Sequence, residues 1–315
     1  MKVVNITHGD DSDGLVCGAL MRRLFDAEVM LANYDNLEEV LDGVDRRVGE
    51  LYITDLNLRP ALLGRILRIR ARAPIHVIDH HPMAPKFREE LTRAGVELTL
   101  DNRDSAAVLV YSLFRDRLEP EAARLAAYAA ISDLFDDGPV ASRILDGMDR
   151  KFVEHEALIL THALGGNPSE EFKGLVLDSL TCYVYPHMIE GALEASRSHL
   201  DKVVRVREVV RREAKVEGRV AYMECGDDIS TGEAANIVMD AMGVDVGMCY
   251  KVEDGLVNVS LRGQRRLREH LGVLASKLSE RHGGFGGGHK RASGAKVPKA
   301  EIGAFIEDLV KSLPR

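Results

Sequence analysis

The chain has 315 residues, of which 45% are hydrophobic and 29% are charged, and its net charge is −8 at pH 7. A single hydrophobic core rarely grows beyond about 250–300 residues, so we expect two domains. The negative net charge excludes general cationic attraction to nucleic acid or to a membrane surface. A polyanionic substrate would therefore need a local cationic site.

The cysteines and the apolar segments point to the cellular compartment. Four scattered cysteines form no C-x-x-C pair, which favours free thiols in a reducing cytoplasm over a thiolate zinc site or a redox motif. No apolar run approaches the roughly 18 residues of a membrane span, and acidic residues occur within the first ten positions. We therefore expect a cytoplasmic protein with no membrane partner.

The first part of the chain alternates predicted strands and helices. The predicted elements are a strand at 3–7, a helix at 15–25, a strand at 28–32, a helix or loop up to 48, a strand at 51–54, a helix at 60–72, and strands at 75–78 and 96–100. Ser105 is predicted to cap a helix that runs to 117, and Pro120 to open another that runs to 131. Short connections between alternating strands and helices indicate a parallel sheet covered on both faces.

The rest of the chain reads as helices and then as a second α/β pattern. Helices are predicted from about 158 to 217, and the charged segment 197–217 is either a bridge between domains or a solvated helix of the first domain. A strand at 219–224, a helix at 232–242, a hairpin of 246–252 with 256–261, a helix at 265–281, a glycine run and a last helix follow. The predicted fold class is α/β: an N-terminal parallel-sheet domain (1–190), a helical linker (191–217) and a smaller α/β domain (218–315).

Three predicted strands of the first domain end in acids and histidines. They are followed by the segments His8 to Gly14, Asp55, and Asp79-His80-His81. The carboxyl ends of parallel strands form the edge where ligands bind in open α/β sheets. Each segment alone is as well explained by loop or capping residues, whereas three at successive strand ends indicate a shared site.

The convergence of these side chains predicts a metal centre. His8, Asp11, Asp13, Asp55, His80 and, beyond a later helix, Asp133 would supply two imidazoles and four carboxylates. Four carboxylates would repel one another unless divalent cations neutralised them. Imidazole mixed with carboxylate suits Mn²⁺ better than Ca²⁺ or a structural zinc. Two ions about 3.5–4 Å apart would suit phosphoryl chemistry. Asp136 and Asp137 are interpreted as ordinary loop residues.

Ordered motifs in the chain resemble those of the DHH phosphoesterase family. They are His8-x-x-Asp11-x-Asp13-Gly14, Thr54-Asp55, Asp79-His80-His81 and Ser132-Asp133, in that order. The segment 283–294 resembles the glycine-rich signature of the DHH-associated domain, and the segment 259–262 resembles the strand that carries its phosphate-binding arginine. The resemblance covers essentially the whole chain and implies an N-terminal DHH domain followed by a substrate-binding domain.

The resemblance also implies a role for each matching residue. His8, Asp11 and Asp55 would bind one metal ion, and Asp13, Asp55, His80 and Asp133 the other, with Asp55 as the bridge. Asp79 and His81 are the implied catalytic residues: Asp79 would orient a ligand and His81 would contact the substrate phosphate. Because Asp10 adjoins Asp11, the choice between them is open, and the Asp-x-Asp-Gly register favours Asp11. Five histidines that match no motif are interpreted as surface or core residues: His76, His155, His162, His187 and His199.

In the second domain, the predicted site binds an anion. Consecutive glycines allow backbone N–H groups to approach an anion closely, although a flexible loop would have the same composition. Cationic side chains beside them would supply the missing positive charge. The predicted substrate-binding residues are Arg262, Gly286, Gly287, Gly288, His289, Lys290 and Arg291.

The resemblance implies a phosphodiesterase or exonuclease that degrades short single-stranded RNA or DNA to mononucleotides with water activated by two Mn²⁺ ions. Mg²⁺ or Co²⁺ could substitute. The acidic chain, with no extended basic surface beside the glycine-rich domain, favours short substrates. Alternatives are a cyclic-dinucleotide phosphodiesterase, a 3′-phosphoadenosine-5′-phosphate phosphatase, a polyphosphatase and, last, a non-catalytic replication-associated scaffold. The oligomeric state is open, with a homodimer as one option.

Overall fold

The computed structural model describes residues 2–313, and the chain divides into two compact units, Met1–His199 and Leu200–Arg315. The first unit contains strands β1 to β5 and helices α1 to α9. Its strands are β1 (Lys2–His8), β2 (Glu28–Ala32), β3 (Val48–Thr54), β4 (Ile75–Asp79) and β5 (Glu97–Leu100). Its helices are α1 (Ser12–Phe25), α2 (Leu37–Asp42), α3 (Leu63–Arg70), α4 (Pro85–Arg93), α5 (Ala106–Phe114), α6 (Ala122–Ser132), α7 (Ala141–Asp146), α8 (Arg150–Gly166) and α9 (Glu170–Thr181).

The five strands of the first unit form a wholly parallel sheet in the order β2-β1-β3-β4-β5. Its strands are apolar on both faces. One face packs on α1, α5, α6, α8 and α9, and the other packs on α2, α3 and α4. A parallel sheet with both faces covered leaves its strand ends as the accessible edge, and β1, β3 and β4 lie side by side in the middle of it.

Helix α10 (Ala192–Glu213) contains the division between the units. The second unit continues with strands β6 to β11 and helices α11 to α13. Its strands are β6 (Lys215–Glu217), β7 (Val220–Glu224), β8 (Val246–Glu253), β9 (Leu256–Gly263), β10 (Phe285–Gly288) and β11 (Ala292–Pro298). The helices are α11 (Thr231–Ala241), α12 (Leu271–Arg281) and α13 (Ile302–Ser312).

The sheet of the second unit is mixed, in the order β10-β11-β9-β8-β7-β6. Only the β7–β8 pair is parallel among its described strands. The β8–β9 hairpin turns at Asp254 and Gly255, whose φ angles are 50° and 79°. Positive φ at both central residues is what a tight two-residue hairpin turn requires, and Asp-Gly supplies it at little cost.

The α/β fold class with a parallel first sheet is confirmed, and four details of the prediction are wrong. The charged helix ends at Glu213, and residues 215–217 form strand β6 instead. The helix predicted from 265 begins at Leu271, because His270 caps it there. The glycine run is strand β10, paired with the unpredicted strand β11. Ser105 makes no capping hydrogen bond to α5.

None of the helices within residues 2–313 is both long enough and apolar enough to cross a lipid bilayer.

Candidate functional site

Three adjacent strands deliver acids and histidines to one edge of the first sheet. His8 is the last residue of β1, Asp55 directly follows β3, and Asp79 ends β4. Two helix termini add further acids, since Asp11 caps α1 and Asp133 is the C-cap residue of α6. The parallel topology therefore brings together side chains that are far apart in the sequence.

The structure groups the ligand atoms around His80. One oxygen or nitrogen atom from each of Asp13, His80 and Asp133 lies within 4.8 Å of the others. A second such group, with the same spacing, consists of Asp55, Asp79, His80 and His81. The Nε2 atom of His80 lies 3.3 Å from Asp55 Oδ1 and 3.5 Å from Asp133 Oδ2. His80 is thus the shared member of both groups.

Asp55 has a strained backbone at the centre of the site. Its φ is 54°, in the left-handed region, and its side chain is only 2% exposed. Its amide group donates to the carbonyl oxygen of Ile78, which ties the loop to the neighbouring strand. Leu134, beside Asp133, also has a positive φ of 61°. Left-handed backbone at non-glycine residues is concentrated at functional sites, where the surrounding structure enforces it.

His8 and Asp11 form a pair outside those two groups. His8 Nε2 lies 3.6 Å from Asp11 Oδ2. The Nδ1 atom of His8 lies 3.2 Å from the carbonyl oxygen of Ala32. Because a carbonyl can only accept, Nδ1 carries a proton, and Nε2 is the ring nitrogen that faces Asp11 and could bind a ligand. Asp10 instead accepts from Lys173 Nζ at 2.6 Å, so its carboxylate is already paired.

Asp79 fixes the two histidines that follow it. Its Oδ1 atom accepts from the amide of His80 at 2.8 Å, and it lies 2.8 Å from His81 Nδ1. Burial lowers the pKa of His81, but the hydrogen bond and the charge of Asp79 outweigh that effect and leave its pKa raised. Nε2 lies on the other side of the ring from this contact and is a hydrogen-bond donor when the ring is protonated, the form that Asp79 favours.

Asp13 takes the capping role that the sequence assigned to Ser105. Its Oδ1 accepts from Ser105 Oγ at 3.0 Å and from the amide of Ala107 at 2.8 Å, while Oδ2 accepts from the amide of Ala106 at 2.8 Å. These donors lie at the start of α5, so the helix satisfies its first amides with an acid from α1. The contact also holds Asp13 rigidly in place.

Burial and mutual repulsion perturb the carboxyl groups. Burial, followed by the charge of Asp11, raises the pKa of Asp13 to about 7. Burial and then the neighbouring acids also raise the pKa values of Asp55 and Asp133 well above their usual range. Desolvated carboxylates of like charge cannot all remain ionised unless cations share the site.

The residues fit divalent metal ions. Asp55 Oδ2 and Asp133 Oδ2 are buried, and neither has a hydrogen-bond partner within residues 2–313. A buried, unsatisfied carboxylate oxygen is costly, and coordination to a cation would remove that cost. Carboxylate oxygens combined with His80 match the donor preferences of first-row divalent ions. The first unit therefore contains a candidate acidic metal site.

Arg262 marks a second candidate site, near the C-terminal end of strand β9 in the second unit. It lies on β9, where it pairs with Ala292 of β11, and the amide of Gly263 donates to the carbonyl of Arg291. Arg262 is half-buried, and burial lowers the pKa of its guanidinium. Since it forms no ion pair with any described residue, this desolvated cation suits an anionic ligand.

The glycines of β10 allow the strand to pack closely against helix α12, in addition to any role in anion binding. A Cβ atom on Gly286 would lie 2.9 Å from the carbonyl oxygen of Ala275, on α12. A Cβ atom on Gly272 of α12 would lie 2.0 Å from the carbonyl oxygen of Gly288. Strand β10 and helix α12 thus approach too closely for side chains. His289, Lys290 and Arg291 form the connection from β10 to β11, next to the strand position of Arg262.

Sequence reasoning missed residues that support these sites. Lys173, buried on α9, neutralises Asp10 and Glu170, and no motif signals it. The ring of Tyr34, just past β2, lies 5.4 Å from the ring of His8. The position of Tyr34 after the end of a strand is the one feature of the sequence that could have indicated it. In the second unit, a Cβ atom on Gly232 would lie 2.4 Å from Arg262 Nη2, so a glycine on α11 makes room for the guanidinium.

Comparisons with known proteins agree with this architecture. Residues 217–313 match the DHHA1 domain. A solved DHH domain, described as a member of a family of ribosomal proteins, superposes with a TM-score of 0.74 at 16% identity, over 99% of this chain and 86% of that one. A search of curated proteins gives no match.

Two solved enzymes share the fold with lower TM-scores. The pGpG-specific phosphodiesterase PggH from Vibrio cholerae has a TM-score of 0.59 and 14% identity, over 99% of this chain and 98% of that one. RecJ from Thermus thermophilus, solved with Mn²⁺, has a TM-score of 0.61 and 18% identity, over 99% of this chain and 52% of that one. RecJ from the same source has also been solved with Mg²⁺.

The parallel sheet with its acidic edge, followed by a region that matches the DHHA1 domain, defines an α/β fold with a candidate metal site. Residues 217–313 match the DHHA1 family model, and the fold of the whole chain is similar to that of a solved DHH domain and of RecJ.

Proposed function

We propose that the protein is a Mn²⁺-dependent phosphodiesterase that degrades short single-stranded oligonucleotides to mononucleotides. The observation that carries the proposal is the placement of Asp13, Asp55 and Asp133 around His80, with two buried carboxylate oxygens that have no hydrogen-bond partner among the described residues. Bound there, two divalent ions would neutralise the acids, supply a nucleophilic hydroxide and stabilise charge on the phosphoryl group.

Each residue has a defined task in this proposal. One ion would be held by His8, Asp11 and Asp55, and the other by Asp13, Asp55, His80 and Asp133. Three contacts favour this division: the Ala32 carbonyl leaves His8 Nε2 as a donor atom, Asp11 lies beside it, and Lys173 occupies Asp10. The tether of Asp13 to α5 and the strained backbone of Asp55 would keep their carboxylates in place before a ligand arrives.

The chain's own acid–base groups would act on the phosphate. His81, held by Asp79 and carrying a raised pKa, would donate a hydrogen bond from Nε2 to a phosphate oxygen. Asp79 would act as a positioning residue, since its Oδ1 atom also holds the amide of His80. In the second unit, Arg262 and the 288–291 connection would bind the anionic or nucleotide part of the substrate.

The net charge of the chain and the similarity to a solved phosphodiesterase support the proposed substrate class. A net charge of −8 gives no extended attraction for a long polymer. A dinucleotide phosphodiesterase is a second candidate, because the similarity to the pGpG-specific enzyme extends over nearly the whole length of both chains. Four free cysteines are consistent with a cytoplasmic location.

A substrate panel tests the proposal. Turnover with Mn²⁺, and with Mg²⁺ or Co²⁺ as substitutes, would be measured on a five-nucleotide RNA, a long single strand, pGpG, a cyclic dinucleotide, 3′-phosphoadenosine-5′-phosphate and polyphosphate. We expect the fastest turnover for the five-nucleotide RNA and none in Asp55→Ala. A preference for another member would overturn the substrate assignment. Absence of metal-dependent turnover on all of them would favour a scaffold.

A further inference from the structure

A cleft of about 250 Å³ opens beside the histidines of the metal centre. Its lining includes the polar side chains of His81, Arg88 and Asn102 and the apolar side chains of Met83 and Leu100. Arg88 and Asn102 take no part in the metal centre. Because His80 and His81 line the cleft and also belong to the candidate metal centre, the two adjoin.

The cleft has an unpaired positive charge. Arg88 lies on α4, which is fixed to the sheet by the buried side chains of Phe87 and Leu91. No carboxylate among residues 2–313 forms an ion pair with the Arg88 guanidinium. The acid of the cleft, Asp101, is already neutralised by Arg103, whose Nη2 and Nε atoms lie 2.6 Å and 2.9 Å from its oxygens.

We propose that this cleft binds a second phosphoryl group of the substrate, next to the phosphodiester that is cleaved at the metal centre. A guanidinium without a carboxylate partner is suited to bidentate binding of phosphate, and the Asn102 amide adds a neutral hydrogen-bond donor. Met83 and Leu100 offer apolar surface to the attached nucleoside. The inference rests on the proposed function and narrows it to short oligonucleotides that carry at least two phosphoryl groups.

Equilibrium binding tests the cleft without relying on turnover. The probes are a 5′-phosphorylated dinucleotide with a phosphorothioate linkage, which resists cleavage, and the same dinucleotide without the 5′-phosphate. Calorimetry with Mn²⁺ would compare the full-length protein with Arg88→Ala and with Arg93→Ala. Arg93 is a matched control, because it is an exposed arginine on the same helix and does not line the cleft.

We expect the unmodified protein and Arg93→Ala to bind the dinucleotide with the 5′-phosphate at least about tenfold more tightly than the dinucleotide without it. Arg88→Ala should lose that preference while retaining its melting temperature. An undiminished preference in Arg88→Ala, an equal loss in Arg93→Ala, no preference in the unmodified protein, or no binding of either probe would each overturn the inference.

Hydrolysis of bis(p-nitrophenyl) phosphate, which has a single phosphate, separates this inference from the proposed function. Arg88→Ala should hydrolyse it at a rate within about twofold of the unmodified protein. If binding depends on Arg88 but no diester is cleaved by any variant, the proposed function is wrong and the cleft assignment stands. If diesters are cleaved and Arg88→Ala keeps the preference for the phosphorylated probe, the assignment of the cleft is wrong and the proposed function stands.

Discussion

The two units build their sites from opposite charges. In the first unit, acids crowd one edge of a parallel sheet, and two of their buried oxygens have no hydrogen-bond partner in the part of the chain that the structure describes. In the second, Arg262 lies half-buried without an ion pair among the described residues. Burying an uncompensated charge is costly in either case. Each unit is therefore electrostatically incomplete, the first without cations and the second without an anion.

The largest effect is expected at Asp55. Asparagine tolerates its left-handed backbone, so Asp55→Asn removes the charge with little change in conformation. We expect metal-dependent turnover to fall on the order of 1,000-fold, because a shared ligand is lost. Steady-state kinetics would measure the effect.

Asp10→Asn is the matched control for that experiment. The Asp10 carboxylate is paired with Lys173. The turnover of Asp10→Asn should therefore stay within about threefold of that of the unmodified protein. A comparable loss in both variants would mean that general negative charge, rather than the Asp55 ligand, supports the reaction.

Metal binding should stabilise the first unit selectively. A cation at one hundred times its dissociation constant would raise the free energy of unfolding by about 2.7 kcal/mol. Calorimetric scans with Mn²⁺ and after chelation should therefore differ, and Asp55→Asn should show a much smaller difference. An equal upward shift in that variant would place the stabilising ion elsewhere.

The cationic site of the second unit should affect binding more than chemistry. Removing the Arg262 side chain deletes a charge-assisted contact, so Arg262→Ala should raise KM about 10- to 100-fold with a smaller change in kcat. Arg262→Lys should recover part of the loss. Arg212, which pairs with Glu213 on α10, offers a control, and Arg212→Ala should leave KM unchanged. A fall in kcat alone would assign Arg262 to the chemical step.

The smallest effect concerns an acid that does have partners. Asp245 accepts from Arg219 and Arg266, and these contacts lower its pKa. A lowered pKa in the folded state means that the stabilisation is present at neutral pH and is lost as pH falls below about 4. Asp245→Asn should cost about 1 kcal/mol at pH 7 and much less at pH 3.

Denaturant unfolding over this pH range would measure the difference, with the exposed Asp201→Asn as control. In the metal-free protein Asp55→Asn should have the opposite sign and increase stability, because it removes a buried carboxyl group that the neighbouring acids repel. A destabilised Asp55→Asn would show that the contact between Asp55 Oδ1 and His80 Nε2 outweighs this repulsion.

Sequence patterns predicted the first unit better than the second. Apolar strands that end in acid or histidine identify β1, β3 and β4 because periodicity and composition change at the same residue. Strand β10 consists of Phe285 and three glycines. Glycine is depleted in strands, so the sequence does not indicate a strand here, and β10 forms through its pairing with β11. The helix predicted from 265 begins at Leu271, since the His270 cap overrides a helical pattern.

The candidate ligands could be identified from motifs, but their supporting contacts could not. Asp13 reaches the amides of Ala106 and Ala107, which lie far along the chain on α5. Lys173 pairs with Asp10 from a helix near the end of the unit. Such long-range hydrogen bonds depend on how helices pack, which no local pattern in the sequence encodes.

Helix α10 has a practical consequence for dissecting the protein. Ala192 and Ala195, in its first turns, belong to the core of the first unit, whereas Val206 and Val210, further along, pack into a core of the second. If the chain is divided on either side of α10, the fragment that lacks the helix exposes an apolar face that the helix covers in the whole protein. A fragment that begins at Leu200 keeps Val206 and Val210, and should express in more soluble form than one that begins at Gly218.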